Sequence, residues 1–128
     1  MHEEILREIG LSVNEARVYE TLLGMGESSV QSLSLKSKVH RRNVYDALAK
    51  LLEKGLASEV FIGGEKNFRA VAPDRLLALL KEKEEQLSKE LPQMQTKFEA
   101  KQEETAAYMY KGIEGFKNYL RDILKTKE

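Results

Sequence analysis

The stretch from Ser29 to Lys54, SVQSLSLKSKVHRRNVYDALAKLLEK, constrains the fold more than any other. Its periodicity predicts two helices joined by a tight turn. Ser29 offers an N-cap, and Val30 and Leu33 give the first helix one apolar side. Lys38-Val39-His40 interrupts the pattern, and a second helix is expected from about 41 to 54. Val44, Ala47, Leu48 and Leu51 there fall on one stripe at steps of three and four. At 100° per residue, Arg42, Asp46, Ala49 and Glu53 lie opposite that stripe, with Tyr45 on its shoulder. Gly55 is placed to stop the helix as its C′ residue. A short helix, a turn with one buried aliphatic and a longer helix with arginines at its outward start form a helix-turn-helix. That layout points to DNA.

The formal net charge of zero hides where the charge sits. Between Met1 and Leu35, Arg7 and Arg17 face six glutamates, a net of minus four. Between Lys36 and Lys54, six cations (Lys36, Lys38, Arg41, Arg42, Lys50 and Lys54) face Asp46 and Glu53, a net of plus four. A neutral average thus contains a basic patch on the reading element.

The chain's 128 residues suit one modest domain with an appendage. No apolar run is long enough to span a bilayer, and the charged first ten residues do not read as a signal peptide. The absence of cysteine excludes disulfides and thiolate zinc sites and fits a cytoplasmic protein.

Upstream of the basic stretch, Met1 to Ile9 reads as a short helix with Ile5, Leu6 and Ile9 facing inward. Ser12-Val-Asn-Glu15 is a capping box, and Ala16, Tyr19, Leu22 and Leu23 form the next inward stripe. After Gly55 the period shortens to about two. Leu56 to Ile62 and Lys66 to Val71 flank a Gly63-Gly64 turn, giving a hairpin over about 57–71. A hairpin after the second helix is the wing of a winged helix. The fold expected is mainly α with this small β-hairpin and a long C-terminal helix like that of a coiled coil.

Pro73 suits the first turn of that helix. Leu77, Leu80, Leu87, Leu91, Met94 and Phe98 then follow alternating steps of three and four, with Glu84 in the one gap. Continuous to about Ala107, the helix would be roughly 50 Å long. So long a stripe is expected to pack on a second copy of itself, as a two-fold homodimer. Pro92 predicts a kink or a break. Residues 108–128 read as a short extended piece and then an amphipathic helix lined by Ile113, Phe116, Tyr119, Leu120, Ile123 and Leu124. The expected domains are 1–72 for DNA binding, 73–107 for dimerisation and 108–128 as a terminal segment.

Gly10 to Tyr19, Ser37 to Leu48, Leu51 to Leu56 and Asn67 to Pro73 together resemble the TrmB-type transcriptional regulators found mainly in archaea. Such regulators commonly carry glycine where this chain has Lys38 and proline where it has His40. In longer members, a sequence like Tyr110 to Leu120 opens a C-terminal effector domain similar to phospholipase D. Here the chain stops soon after, either a natural short form or a shortened longer regulator, and the residues present identify no small-molecule effector.

The candidate DNA contacts are Ser29, Lys38, Arg41, Arg42, Asn43, Tyr45, Asp46 and Lys50, with Lys66, Asn67 and Arg69 on the wing. Arginine pairs in bidentate fashion with guanine or grips phosphate. Asp46 either orients Arg42, accepts from a cytosine amino group or forms a surface i,i+4 pair. Ser29 caps its helix and can also touch phosphate, and Tyr45 either reaches the DNA or leans on the core. His40 has only His2 as a possible co-ligand, so neither a metal nor a cofactor is expected. The phospholipase-like tail lacks that superfamily's histidine-x-lysine nucleophile, and no Ser/His/Asp set replaces it, so no enzyme is expected. The competing reading is a winged-helix adaptor for protein–protein interaction, without specific DNA binding.

Overall fold

A computed structural model describes residues 1–126. The elements in order are α1 (Glu3–Glu8), α2 (Val13–Met25), α3 (Val30–Ser37), α4 (Arg41–Glu53), β1 (Ala57–Ile62), β2 (Glu65–Ala70) and α5 (Arg75–Thr126). The chain divides into two compact units, Met1–Lys83 and a second that begins at Glu84.

Local chemistry sets the ends of these elements. The Ser12 hydroxyl accepts from the Glu15 amide at 3.1 Å, and the Glu15 carboxylate accepts from the Ser12 amide at 3.0 Å. Two of the four unpaired amides at the start of α2 are so satisfied. Gly55, at φ 74°, closes α4: its amide donates to the Leu52 carbonyl at 3.0 Å, and the Leu56 amide donates to the Leu51 carbonyl at 2.8 Å. That pair is a Schellman motif, which turns the chain sharply enough to bury Leu56 and start β1. At the hairpin tip, Gly63 and Gly64 both take positive φ, as the two central positions of a type I′ turn require.

The first unit encloses one core. Ala16, Val18, Tyr19 and Leu22 of α2 meet Val30 and Leu33 of α3, Val44, Ala47, Leu48 and Leu51 of α4, and Phe68 of β2. Val39, in the turn between α3 and α4, is buried as well. Ser28 and Phe68 exchange backbone hydrogen bonds at 2.9 and 2.8 Å, adding a one-residue third strand to the wing. The Tyr19 hydroxyl donates to the Val71 carbonyl at 3.1 Å, tying α2 to the end of the wing. Burial, and then the charge of Asp74, raise the pKa of that phenol.

Three expectations need correction. Ile5 and Leu23 are exposed, at 53% and 41%. The inward side of α2 is instead made by Val18 with Ala16, Tyr19 and Leu22, which leaves Leu23 one 100° step off it. The extended piece expected near Tyr108 does not form, because α5 continues through Tyr108, Gly112 and Gly115 to Thr126. Of the kink or break expected at Pro92, the break does not occur. Proline deprives the Ser88 carbonyl of its partner, but residues 88–96 are exposed and water can take that place.

Candidate nucleic-acid interface

The buried stripe of α4 fixes the helix's rotation and so decides what it presents outward. With Val44, Ala47, Leu48 and Leu51 in the core, Arg41, Arg42, Asn43, Tyr45, Asp46 and Lys50 all stand exposed. The first turn of α4 contains no acidic residue. It carries two arginines where the helix dipole is already positive, an arrangement that costs a few tenths of a kcal/mol per cation and that an anion would reverse. His40 caps this end, its Nδ1 accepting from the Arg42 amide at 3.3 Å. The Arg41 guanidinium lies 6.0 Å from the centre of the Tyr45 ring, at the outer limit of a cation–π contact. Arg42 and Asp46 form no ion pair in the described residues, so the surface pair considered from their spacing is absent.

The far end of α4 is braced from below. The Lys54 ammonium pairs with the Glu15 carboxylate, which is 8% exposed, and also donates to the Gly10 carbonyl at 3.4 Å. Burial alone would raise the Glu15 pKa. Hydrogen bonds from Lys54 and Ser12 outweigh it and hold the carboxyl below its usual range. The same glutamate therefore caps α2 and anchors the end of α4.

Ser29, Arg41, Tyr45 and Lys66 line one shallow concavity of about 220 Å³ between the starts of α3 and α4 and the wing. The Ser29 hydroxyl is engaged locally, accepting from the Ser32 amide at 3.2 Å. Gln31 and Glu65 share this concavity and were not singled out in the sequence. Gln31 follows the cap by two residues, which was the available signal. Lys38, Arg42, Asn43, Asp46, Lys50, Asn67 and Arg69 do not line it. Two wing cations are held by acidic neighbours: Lys66 lies 3.4 Å from Glu59, and Arg69 lies 3.7 Å from Glu27. Arg69 also donates to the Ser58 hydroxyl at 3.3 Å, and the Asn67 amide donates to the Glu65 carbonyl at 3.3 Å. Lys50 lies 3.7 Å from Glu53. The Glu59–Lys66 pair is a cross-strand diagonal, legible once Gly63-Gly64 sets the register of Ile62 opposite Glu65.

The three helices α2, α3 and α4, the last two forming a helix-turn-helix, followed by the β1–β2 hairpin, define a winged-helix domain. The chain belongs to the TrmB family: residues 6–74 match the family described as sugar-specific transcriptional regulator TrmB. Among solved structures, it is similar to TrmBL2, described as an archaeal chromatin protein with a novel mode of DNA binding. The identity is 30%, with a TM-score of 0.67, over 75% of this chain and 38% of TrmBL2. This chain thus spans well under half of that protein's length. A possible transcriptional regulator from Methanosarcina mazei Go1 is 16% identical, with a TM-score of 0.59, over 73% of this chain and 83% of that one. A MarR-family transcriptional regulator from Silicibacter pomeroyi shares 17% identity at a TM-score of 0.50, over 80% and 75%. The latter two speak to the fold alone. No curated protein matches in sequence. No helix among the described residues is long and apolar enough to cross a membrane.

Proposed function

We propose that this protein is a sequence-specific regulator that binds double-stranded DNA as a homodimer. In this reading residues 1–72 bind DNA and residues 73–107 dimerise. The start of α4 enters the major groove, where Arg41, Arg42 and Asn43 reach base edges and phosphates. Tyr45, Asp46 and Lys50 follow along the same outward side. Ser29 and Lys38 approach the backbone, and the wing, through Lys66, Asn67 and Arg69, lies on backbone or minor groove. The observation that carries the reading is the unneutralised positive start of α4: two exposed arginines on the positive end of a dipole, with no acidic partner in the described residues. Family membership and the DNA binding named in TrmBL2's description support DNA as the partner. The homodimer rests on exposed Leu77, Leu80, Leu87, Leu91, Met94 and Phe98, spaced as a seam along α5. Electrophoretic mobility shifts with the protein's own promoter region test the DNA part. Arg41→Ala/Arg42→Ala should weaken binding by about tenfold or more and lower the dependence of log Kd on log salt by about 1–2. Unchanged binding in that variant would refute it.

A further inference from the structure

The part of the α5 seam that lies in the second unit, from Glu84 onward, is bounded by opposite charges, and only one arrangement of two copies satisfies both. Leu87, Leu91, Met94 and Phe98 repeat at steps of four and three, each between 48% and 58% exposed. One more step of three in either direction reaches Glu84 and Lys101. The row therefore reads acid, four apolar residues, base, and its midpoint falls between Pro92 and Gln93. On one flank, Glu90 and Lys97 hold equivalent places, each one residue before a seam position. Glu84, Glu90 and Lys97 form no ion pair among the described residues. Lys101 lies 3.7 Å from Glu104 on its own helix, an exposed pair that contributes little and is easily exchanged.

We propose that a second copy of this chain packs on this face in antiparallel fashion, in the register that sets Glu84 against Lys101 of the partner subunit. The proposal rests on the homodimer reading above and adds direction and register to it. In that register Leu87 meets the partner's Phe98, Leu91 meets the partner's Met94, and Glu90 flanks the partner's Lys97. Two-fold symmetry repeats each contact, giving four pairs of opposite charge around an apolar centre. A parallel pair would set Glu84 against the partner's Glu84 and Lys101 against the partner's Lys101. It would also leave Glu90 and Lys97 beside only the partner's Gln95 and the partner's Gln102. Charges in and beside a seam choose orientation by this difference between attraction and repulsion, even where each pair contributes little.

The chain has no cysteine, so introduced ones report alone. Full-length Glu84→Cys and Lys101→Cys variants, one carrying a size tag, are mixed and oxidised mildly. Cross-linking between the two variants is expected, with little within either one alone. Homotypic cross-linking of Glu84→Cys in a dimer would overturn the antiparallel register while leaving the homodimer intact. A unmodified protein that stays monomeric by light scattering at about tenfold above the assay concentration would overturn both. A second comparison uses charge. Glu84→Lys should raise the dimer Kd by about tenfold, and adding Lys101→Glu should restore it to within roughly threefold. A double variant as weak as the single one would overturn the register too.

Discussion

The two compact units of this chain treat apolar side chains in opposite ways. In the first, Leu22, Leu33, Leu48, Leu51 and Leu56 are all buried to 2% exposure or less, and helices, turn and wing close over them. In the second, Leu87, Leu91, Met94 and Phe98 recur as regularly, yet each is about half exposed. Spacing alone does not decide burial. A stripe goes under when neighbouring elements of the same chain supply a facing surface, and α5 beyond Lys83 has none to offer itself. The first unit thus closes over a core of its own, whereas the second presents a face suited to a partner.

The largest effect should separate the two units directly. Leu51→Ala removes a fully buried side chain and should cost about 3 kcal/mol, read as a lower urea midpoint. Leu91→Ala, on the exposed seam, should leave the unfolding of the first unit unchanged and weaken self-association by analytical ultracentrifugation. Equal loss of head stability in both variants would erase the contrast.

A smaller effect sharpens the account of how α4 is held. Lys54→Met leaves the buried Glu15 carboxylate with only its Ser12 contacts and should cost about 2 kcal/mol at pH 7. The Glu15 pKa is depressed in the folded state, so its contribution is present above the unfolded carboxyl pKa and fades as pH falls through the lower folded value. Denaturation from pH 7 down to pH 3 should therefore show a shallower loss of stability in Lys54→Met than in the unmodified protein. Parallel curves would remove Glu15 from the explanation.

The smallest effect lies in the turn. Lys38 is the sole non-glycine residue with positive φ among those described, at 62°, a conformation that glycine adopts without strain. Lys38→Gly relieves that conformation and should stabilise by about 0.5–1 kcal/mol in thermal denaturation. It also removes one proposed phosphate contact, so a fall in DNA affinity alongside the gain in stability would separate the two roles of this position.

Much of the first unit was legible in the sequence because short-range rules and tertiary packing agree there. The Val44-Ala47-Leu48-Leu51 stripe, the Ser12–Glu15 box, the Gly55 stop and the Gly63-Gly64 turn all stand where spacing and residue type place them. Misses arose where several readings share one pattern. Leu23 fits a helical stripe as well as Val18 does, and only the position of α3 and α4 selects between them. Tyr108 to Tyr110, followed by Gly112 and Gly115, look unfavourable for a helix. A glycine costs about 1 kcal/mol there, which continuation of a long helix can absorb. At the candidate site, the exposed arginines followed from the stripe. The engagement of Arg69 with Glu27 did not, because residues far apart in sequence meet only once the wing is folded.

Selection of bound sequences from random duplex DNA, at about 50 mM and 200 mM salt, tests the central claim most directly. The account predicts enrichment of an inverted repeat whose half-sites lie a whole number of helical turns apart, with affinity falling steeply between the two salts. No enriched sequence, together with binding indifferent to salt, would contradict it.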